Sequence, residues 1–236
     1  MPRVTTRTSR PTVLLFDIDG TLLDTGGCGR RAVERAFALR HGRADACAAL
    51  VFGGMTDRAI ARAGLAAIGA PITPEAIDDL LAAYLEALAD ELPRSPHAIV
   101  HDGIAPALDA SVAAGAAVGL GTGNIAEGAR LKLGRVGLHG RFAFGGYGSD
   151  HEIRSELLRI GAERGALALG VPLAECRVVV IGDTPKDIAA AQAIGAECLA
   201  VATGPFSVAE LSACAPTRVF ANLAAAGALS ALLEGV

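Results

Sequence analysis

Short apolar runs alternate with longer helical patterns along most of this chain, and no other feature restricts its fold as strongly. Six runs have the length and composition of buried β-strands: residues 12–16, 116–121, 141–146, 177–182, 197–202 and 217–220. Helical patterns occupy residues 103–114, 124–137, 152–168, 185–194, 207–213 and 223–234. Strands that alternate with helices in this way are typical of a parallel sheet with helices on its faces. The sequence therefore predicts an α/β fold.

One long segment interrupts the alternation. Between about Gly26 and Val100 we find no convincing strand, only helical patterns. The clearest of them, "TPEAIDDLLAAYLEALADEL", begins at Thr73, whose hydroxyl can cap the helix, and Pro74 suits its first turn. Apolar residues then repeat at spacings of three and four, as on a core-facing surface: Ile77, Leu80, Leu81, Tyr84, Leu85, Leu88 and Leu92.

This helical segment has the size of a small domain inserted after the first strand. We therefore predict a core built from residues 12–24 and 101–236 and an all-helical domain of residues 25–100. Residues 1–11 are basic and polar, and no signal-peptide apolar region follows them, so we predict a disordered tail there.

Composition disfavours several classes of function. Hydrophobic residues make up 52% of the 236-residue chain and the formal net charge is −4, with no tryptophan and 4% aromatic residues. Such a chain offers neither the basic surface nor the stacking side chains that bind nucleic acid or an anionic membrane. No apolar run approaches the roughly 18 residues that span a bilayer. The five cysteines lie far apart, without the spacing of a disulfide framework or a zinc site, so we predict a cytoplasmic protein.

Polar residues follow three of the predicted strands. The first strand ends in "DIDGT" (residues 17–21), the second in "TGN" (122–124) and the fourth in "DTPKD" (183–187). In open parallel sheets, ligands bind at the carboxyl ends of neighbouring strands. Convergence of these three ends would bring four carboxylates together, and such a cluster repels itself unless a cation lies within it. Oxygen ligands of this kind favour Mg²⁺ over zinc.

The first of these motifs has the residues of a two-step phosphoryl transfer. Attack by Asp17 on phosphorus would give an aspartyl-phosphate. Asp19, two residues further on, could protonate the leaving alcohol and then take a proton from water. Gly20 permits a tight turn, and Thr21 offers a hydroxyl and an amide to phosphate oxygens.

The segments "DIDGTLLD", "GLGTGN" and "VIGDTPKDIAAA", in their residues and in their order along the chain, resemble the motifs of the haloacid dehalogenase (HAD) superfamily of aspartate-nucleophile hydrolases. The resemblance extends from about residue 12 to residue 225 and is strongest to the phosphoglycolate phosphatase-like branch. It implies a Rossmann-like core and a helical cap domain. It also implies a Mg²⁺-dependent phosphomonoesterase acting on a small phosphorylated metabolite.

The resemblance also implies a role for each motif residue. Asp17 would be the nucleophile and Asp19 the acid and base. Asp17, the backbone carbonyl of Asp19 and Asp183 would hold the metal, with Asp187 in support. The residues expected to bind phosphate are Thr21, Thr122, Gly123 and Asn124, although Asn124 could instead cap the following helix.

One position departs from the family pattern. The family normally supplies a lysine after the third strand, but the only lysines here are Lys132 and Lys186. Lys132 lies in the helix before that strand, and the expected position holds Arg154. We therefore predict that Arg154 is the phosphate-side cation, with Lys132 as the alternative.

Other functions remain open at this stage. A phosphomutase would keep every motif, whereas a metal-free haloacid dehalogenase would lack the second acid, Asp19. A catalytically inactive binding module would be expected to lose an acid, and a receiver-type signalling domain has no cap. For the substrate, Arg58 in "GGMTDRAI" could bind a carboxylate, but Asp57 and Arg58 also fit a helix cap followed by a surface charge.

Overall fold

The fold is built around a central parallel sheet in a computed structural model that describes residues 10–234. The strands are β1 (Thr12–Phe16), β2 (Leu23–Asp24), β3 (Ile99–Val100), β4 (Ala117–Thr122), β5 (Gly145–Tyr147), β6 (Arg177–Gly182), β7 (Glu197–Val201) and β8 (Arg218–Phe220). Six of them form one sheet in the order β5-β4-β1-β6-β7-β8, and every pair in it is parallel. The predicted α/β fold is confirmed. Most of the predicted tail, residues 1–9, lies outside the described residues.

Helices cover both faces of this sheet and build the insert. They are α1 (Cys28–His41), α2 (Asp57–Ala67), α3 (Pro74–Glu91), α4 (Ile104–Ala113), α5 (Ala126–Arg135), α6 (Arg154–Leu169), α7 (Pro185–Ala193), α8 (Val208–Ala213) and α9 (Ala228–Glu234). In the described part of the chain, no helix is both long and apolar enough to cross a membrane.

The side chains of β1 alternate between two apolar layers. Leu14 and Phe16 belong to a cluster on one face of the sheet, and Val13 and Leu15 to a cluster on the other. All four are fully buried. A strand with both faces covered is the usual centre of a parallel sheet, so the continuous apolar run explains why β1 lies between β4 and β6.

The inserted helices α1, α2 and α3 share a hydrophobic cluster of their own. The predicted start of α3 is confirmed, because the Thr73 hydroxyl accepts a hydrogen bond from the Ala76 amide at 3.2 Å and Pro74 is the first helical residue. Phe37 and Leu65 are fully buried in this cluster, and Ile125 of the core joins it. The boundaries at residues 25 and 100 stay a prediction.

A short strand at Ile99–Val100 corrects the prediction that the insert contains no strand. Leu23–Asp24 and Ile99–Val100 pair antiparallel where the chain leaves the core and where it returns. Two residues are too few to produce an alternating pattern in the sequence, so this pairing follows from the meeting of the two connecting segments.

The third predicted strand, residues 141–146, is also shorter in the structure. The strand is Gly145–Tyr147, and a 3₁₀ turn occupies His139–Arg141. Phe142 and Phe144 pack against the apolar layers on opposite faces of the sheet. The apolar run thus reflects core packing as well as strand pairing.

Candidate active site

The carboxyl ends of three neighbouring strands carry the motif residues. Because β1 lies between β4 and β6, Asp17, Thr122 and Asp183 meet at one edge of the sheet. The convergence expected from the sequence is therefore present.

Three buried carboxylates form a cluster at this edge. Asp17, Asp183 and Asp187 each place an oxygen within 4.8 Å of the others, and they are 5%, 1% and 0% exposed. Asp187 is fixed by a capping box at the start of α7, in which its Oδ2 accepts from the Thr184 amide (3.0 Å) and hydroxyl (2.7 Å). Asp187 is therefore both a helix-start residue and a member of the acidic cluster.

Thr21 supports this cluster, which changes the role expected from the sequence. Its side chain is fully buried, and its hydroxyl donates a hydrogen bond to Asp183 Oδ1 at 2.7 Å. The preceding Gly20 has φ +80°, and a Cβ there would lie 2.4 Å from Asp183 Oδ2. The turn after β1 thus orients Asp183, and the Thr21 hydroxyl is engaged there instead of facing a phosphate.

Arg154, the first residue of α6, lies against the acidic cluster. Its side chain is 8% exposed, its Nη2 lies 2.8 Å from Asp17 Oδ2, and it also contacts Asp187. These contacts are ion pairs without hydrogen-bond alignment, because Arg154 Nε and Nη2 are buried and have no hydrogen-bond partner among the described residues. Such donors suit a ligand with several acceptor oxygens, such as a phosphoryl group.

The charge of the cluster fits a divalent cation. The three buried carboxylates and the single guanidinium of Arg154 leave two negative charges uncompensated when all the carboxyls are ionised. Burial raises the pKa of Asp17 to about 6 although Arg154 opposes the rise. Burial, with Asp187 and Asp17 nearby, raises the pKa of Asp183 to about 8. An all-oxygen site of this charge suits a divalent metal ion, for which Asp17, Asp183 and Asp187 are the candidate ligands.

These raised pKa values predict a pH-dependent stability in a chelator. An aspartate pKa near 3.8 in the unfolded chain lies below the folded values, so the folded protein binds more protons over the interval between them. The free energy of unfolding should therefore fall as the pH rises above the unfolded pKa. The contribution of Asp17 should be lost by a pH of about 6 and that of Asp183 by a pH of about 8. Each pKa unit corresponds to about 1.4 kcal/mol, so shifts of this size should lower the free energy of unfolding by several kcal/mol over this interval.

Thermal unfolding with and without Mg²⁺ at pH 5 and pH 8 checks this expectation. Protons and Mg²⁺ compete for the same carboxylates, so Mg²⁺ should raise the melting temperature more at pH 8 than at pH 5. An equal gain at both pH values would show that these carboxylates do not bind the ion.

Asp19 lies in a second polar network beside the cluster. Its Oδ2 accepts hydrogen bonds from Lys132 Nζ at 2.6 Å and from Asn124 Nδ2 at 2.8 Å. The Asn124 amide also donates to the Thr122 hydroxyl (2.9 Å), and its Oδ1 accepts from Lys132 (2.7 Å). Ile125, not Asn124, is the N-cap residue of α5, so the capping role considered for Asn124 is absent.

The position of Lys132 alters the comparison of the two candidate cations. Lys132 is 4% exposed and lies in the site, as Arg154 does. Each cation faces a different acid, since Arg154 pairs with Asp17 and Lys132 pairs with Asp19. The two residues are therefore not alternatives for one position.

A cavity of about 250 Å³ lies between the core and the inserted helices. Its core-side lining includes Asp17, Asp19, Gly123, Asn124, Lys132 and Arg154. The insert contributes the apolar residues Val33, Phe52, Met55, Ile60 and Tyr84, the charged residues Arg30 and Asp57, and several glycines. Asp17 and Asp19 thus border a small cavity whose insert side carries apolar and charged side chains.

The start of α2 closes this chamber against the core. The Asp57 amide donates to the Gly123 carbonyl at 2.8 Å, and its carboxylate accepts from the Ile125 amide at 2.9 Å. A Cβ on Gly123 would lie 2.3 Å from the Met55 carbonyl oxygen, so this approach requires glycine. Arg58 pairs instead with Asp78 at 2.8 Å, in agreement with its interpretation as a surface charge.

Three residues that line the cavity have only weak functional signals in the sequence. Asp57 fits a helix cap, Tyr84 fits a core position, and Lys132 lies outside the position expected for the cation, which Arg154 occupies. The sequence does contain one indication that Lys132 is buried. Gly128, Ala129 and Leu133 lie on the same face of the predicted helix as Lys132, and none of them is polar. In a chain with only two lysines, a lysine on a buried face indicates a specific partner.

A family model described as HAD-hydrolase-like matches residues 158–226. The matched segment contains Asp183 and Asp187 and covers less than a third of the chain. No curated protein matches the sequence.

Solved structures share the fold over nearly the whole chain. CbbY from Rhodobacter sphaeroides, in complex with phosphate, has 18% sequence identity and a TM-score of 0.70, covering 95% of this chain and 99% of its own. A candidate beta-phosphoglucomutase from Bacteroides vulgatus has 20% identity and a TM-score of 0.66, covering 97% and 92%. A predicted phosphoglycolate phosphatase from Haemophilus somnus 129pt has 13% identity and a TM-score of 0.64, covering 92% and 96%. These three structures, all below 25% identity, share the fold of this chain, including the region of the inserted helices.

Proposed function

We propose that this chain is a Mg²⁺-dependent phosphomonoesterase. The proposal is supported by the resemblance of its motifs to the haloacid dehalogenase superfamily, by the HAD-hydrolase-like family model that matches residues 158–226 and by the fold shared with solved structures. One observation carries the proposal: Asp17 is a member of the buried, oxygen-only acidic cluster, pairs with the guanidinium of Arg154 and lines the cavity. The chamber of about 250 Å³ favours a small phosphorylated metabolite.

In the first step, an oxygen of Asp17 attacks phosphorus and the bond from phosphorus to the leaving-group oxygen breaks. Asp19 gives a proton to that oxygen, so an alcohol leaves and Asp17 carries the phosphoryl group. Arg154 forms an ion pair with Asp17, and its Nε and Nη2 make no aligned hydrogen bond among the described residues, which suits the charge on the transferring oxygens.

In the second step, water attacks the phosphorus of the aspartyl-phosphate. Asp19 takes a proton from the water, the bond from phosphorus to Asp17 breaks, and inorganic phosphate is released. Asp17 returns to its free carboxylate, so the chain is unchanged after one cycle.

Mg²⁺, when bound, would neutralise charge on the phosphoryl oxygens and on the cluster. Asp17 and Asp183 would hold it, with the backbone carbonyl of Asp19 as the further ligand that the resemblance implies. Asp187 and Thr21 would keep the cluster in place, because Asp187 contacts Arg154 and Thr21 donates to Asp183.

A phosphomutase is the second candidate, supported by the fold shared with the candidate beta-phosphoglucomutase. It would use the same first step and then return the phosphoryl group to a sugar hydroxyl instead of water. The two reactions differ in product, so release of inorganic phosphate and formation of an isomeric sugar phosphate separate them.

Metal dependence tests the proposal. We expect release of phosphate from an aryl phosphate to stop in a chelator and to return with Mg²⁺. Ca²⁺ should restore it poorly, because its larger and more flexible coordination shell misplaces Asp17. Full release of phosphate in the chelator would contradict the metal-dependent reaction, and release of halide from a haloacid would favour the dehalogenase.

A further inference from the structure

Lys132 has a place in the site that the proposed reaction does not use. Its ammonium lies 2.6 Å from Asp19 Oδ2 and 2.7 Å from Asn124 Oδ1, and its side chain is 5% exposed. Gly29 of α1 covers it, because a Cβ on Gly29 would lie 3.4 Å from Lys132 Nζ. Lys132 is therefore enclosed between the core and the inserted helices.

Asp19 is held at one of its two carboxylate oxygens. Lys132 and Asn124 both donate to Oδ2, whereas no donor to Oδ1 is present among the described residues. The side chain of Asp19 is 46% exposed, so without these two donors it would have several rotamers available. The donors fix the carboxylate and leave Oδ1 available to the cavity.

The charge of Lys132 also acts on Asp19. Lys132 forms an ion pair with Asp19 at 2.6 Å, whereas Arg154 is the cation that pairs with Asp17.

We propose that Lys132 is a positioning residue for Asp19, which it holds together with Asn124 so that Oδ1 receives the proton of the attacking water. This inference rests on the proposed phosphatase reaction. In that step a bond forms between the water oxygen and phosphorus, an O–H bond of the water breaks, its proton goes to Asp19 Oδ1, and the bond from phosphorus to Asp17 breaks. Lys132 acts through Asp19 and exchanges no proton itself.

A double-mutant cycle tests whether Lys132 acts through Asp19. With 4-nitrophenyl phosphate as substrate, Lys132→Met should lower steady-state turnover about 10- to 100-fold, a part of the usual contribution of a general base. Because this leaving group needs no proton, the first turnover should remain fast and appear as a burst of nitrophenol. When Asp19 is already replaced by Asn, Lys132→Met should change turnover less than about 2-fold, since the two residues act as one unit.

Arg130→Met is the matched control on the same helix. Arg130 pairs with Glu127 at the surface and is 51% exposed, so its replacement should leave turnover and the burst unchanged. Thermal unfolding of each variant verifies that the fold is retained.

Two results would overturn the inference. Lys132→Met could lower turnover by the same factor with and without Asp19, or it could slow the burst as strongly as the steady state. Either would mean that Lys132 acts on the phosphoryl group directly. If the wild-type protein releases no phosphate, the proposed function fails as well. If the wild-type protein is active but Lys132→Met lowers turnover equally with Asp19 present or replaced, only the role of Lys132 is contradicted.

Discussion

Replacement of Asp17 by asparagine should abolish both turnover and the formation of a phosphorylated protein. The amide is a poor nucleophile, and loss of a covalent nucleophile typically costs about 10⁴-fold or more in turnover. The change is nearly isosteric and removes a buried carboxyl whose pKa burial raises to about 6. The variant should therefore be at least as stable as the wild-type protein in a chelator. Acid-quench labelling with a ³²P-labelled phosphate ester tests for the phosphorylated protein, and thermal unfolding in a chelator tests the stability of the variant.

Asp19→Asn provides the contrast within the same motif. It keeps the nucleophile, so an activated aryl ester should still give a burst of product followed by slow hydrolysis. If Asp17→Asn protein still accumulates phosphate in an acid-stable, base-labile form, another side chain is the nucleophile and the assignment of Asp17 is wrong.

The fold was largely predictable because its central strands are buried on both faces. The strand at residues 177–182 has the predicted bounds, and the strand at residues 12–16 does as well. In contrast, the pairing of Leu23–Asp24 with Ile99–Val100 brings together segments far apart in the chain, and two-residue strands have no periodicity to detect. The sequence thus predicts elements that carry their own apolar pattern and misses those created by tertiary contact.

The candidate site divides in the same way. Asp17 and Asp183 could be placed together, because strand ends converge in a parallel sheet. The contact of Lys132 with Asp19 could not, because it depends on how far α5 rotates its buried face towards the cavity. The position of Thr21 directly after the motif acids predicts a phosphate contact, but the φ of +80° at Gly20 turns the chain, and the Thr21 hydroxyl donates to Asp183 instead. Side-chain direction after a turn is set by backbone geometry that residue types alone do not give.

Replacement of Arg154 by alanine should lower turnover about 10²- to 10³-fold, which is the usual effect of removing one preorganised group that stabilises transition-state charge. Phosphoryl transfer spreads negative charge over three oxygens, and Arg154 is the buried cation in contact with Asp17. Its removal also leaves Asp17 and Asp187 buried without their cation. Loss of one partner of a buried ion pair costs on the order of 3–5 kcal/mol of stability, so the variant should also unfold more easily in a chelator. Mg²⁺ should offset part of this loss, because it supplies positive charge to the same carboxylates.

Two further variants separate the loss of charge at the site from a general effect on α6. Arg154→Lys keeps a cation but loses the planar pair of donors that binds phosphate at two oxygens, so it should recover only part of the turnover. Arg159→Ala removes an exposed arginine from the same helix that pairs with Glu156 and Glu163, and it should leave turnover unchanged. Steady-state kinetics below the melting temperature of each variant make the comparison valid. A normal turnover for Arg154→Ala, together with a severe loss in Lys132→Met, would place the phosphate-side cation on α5 instead of α6.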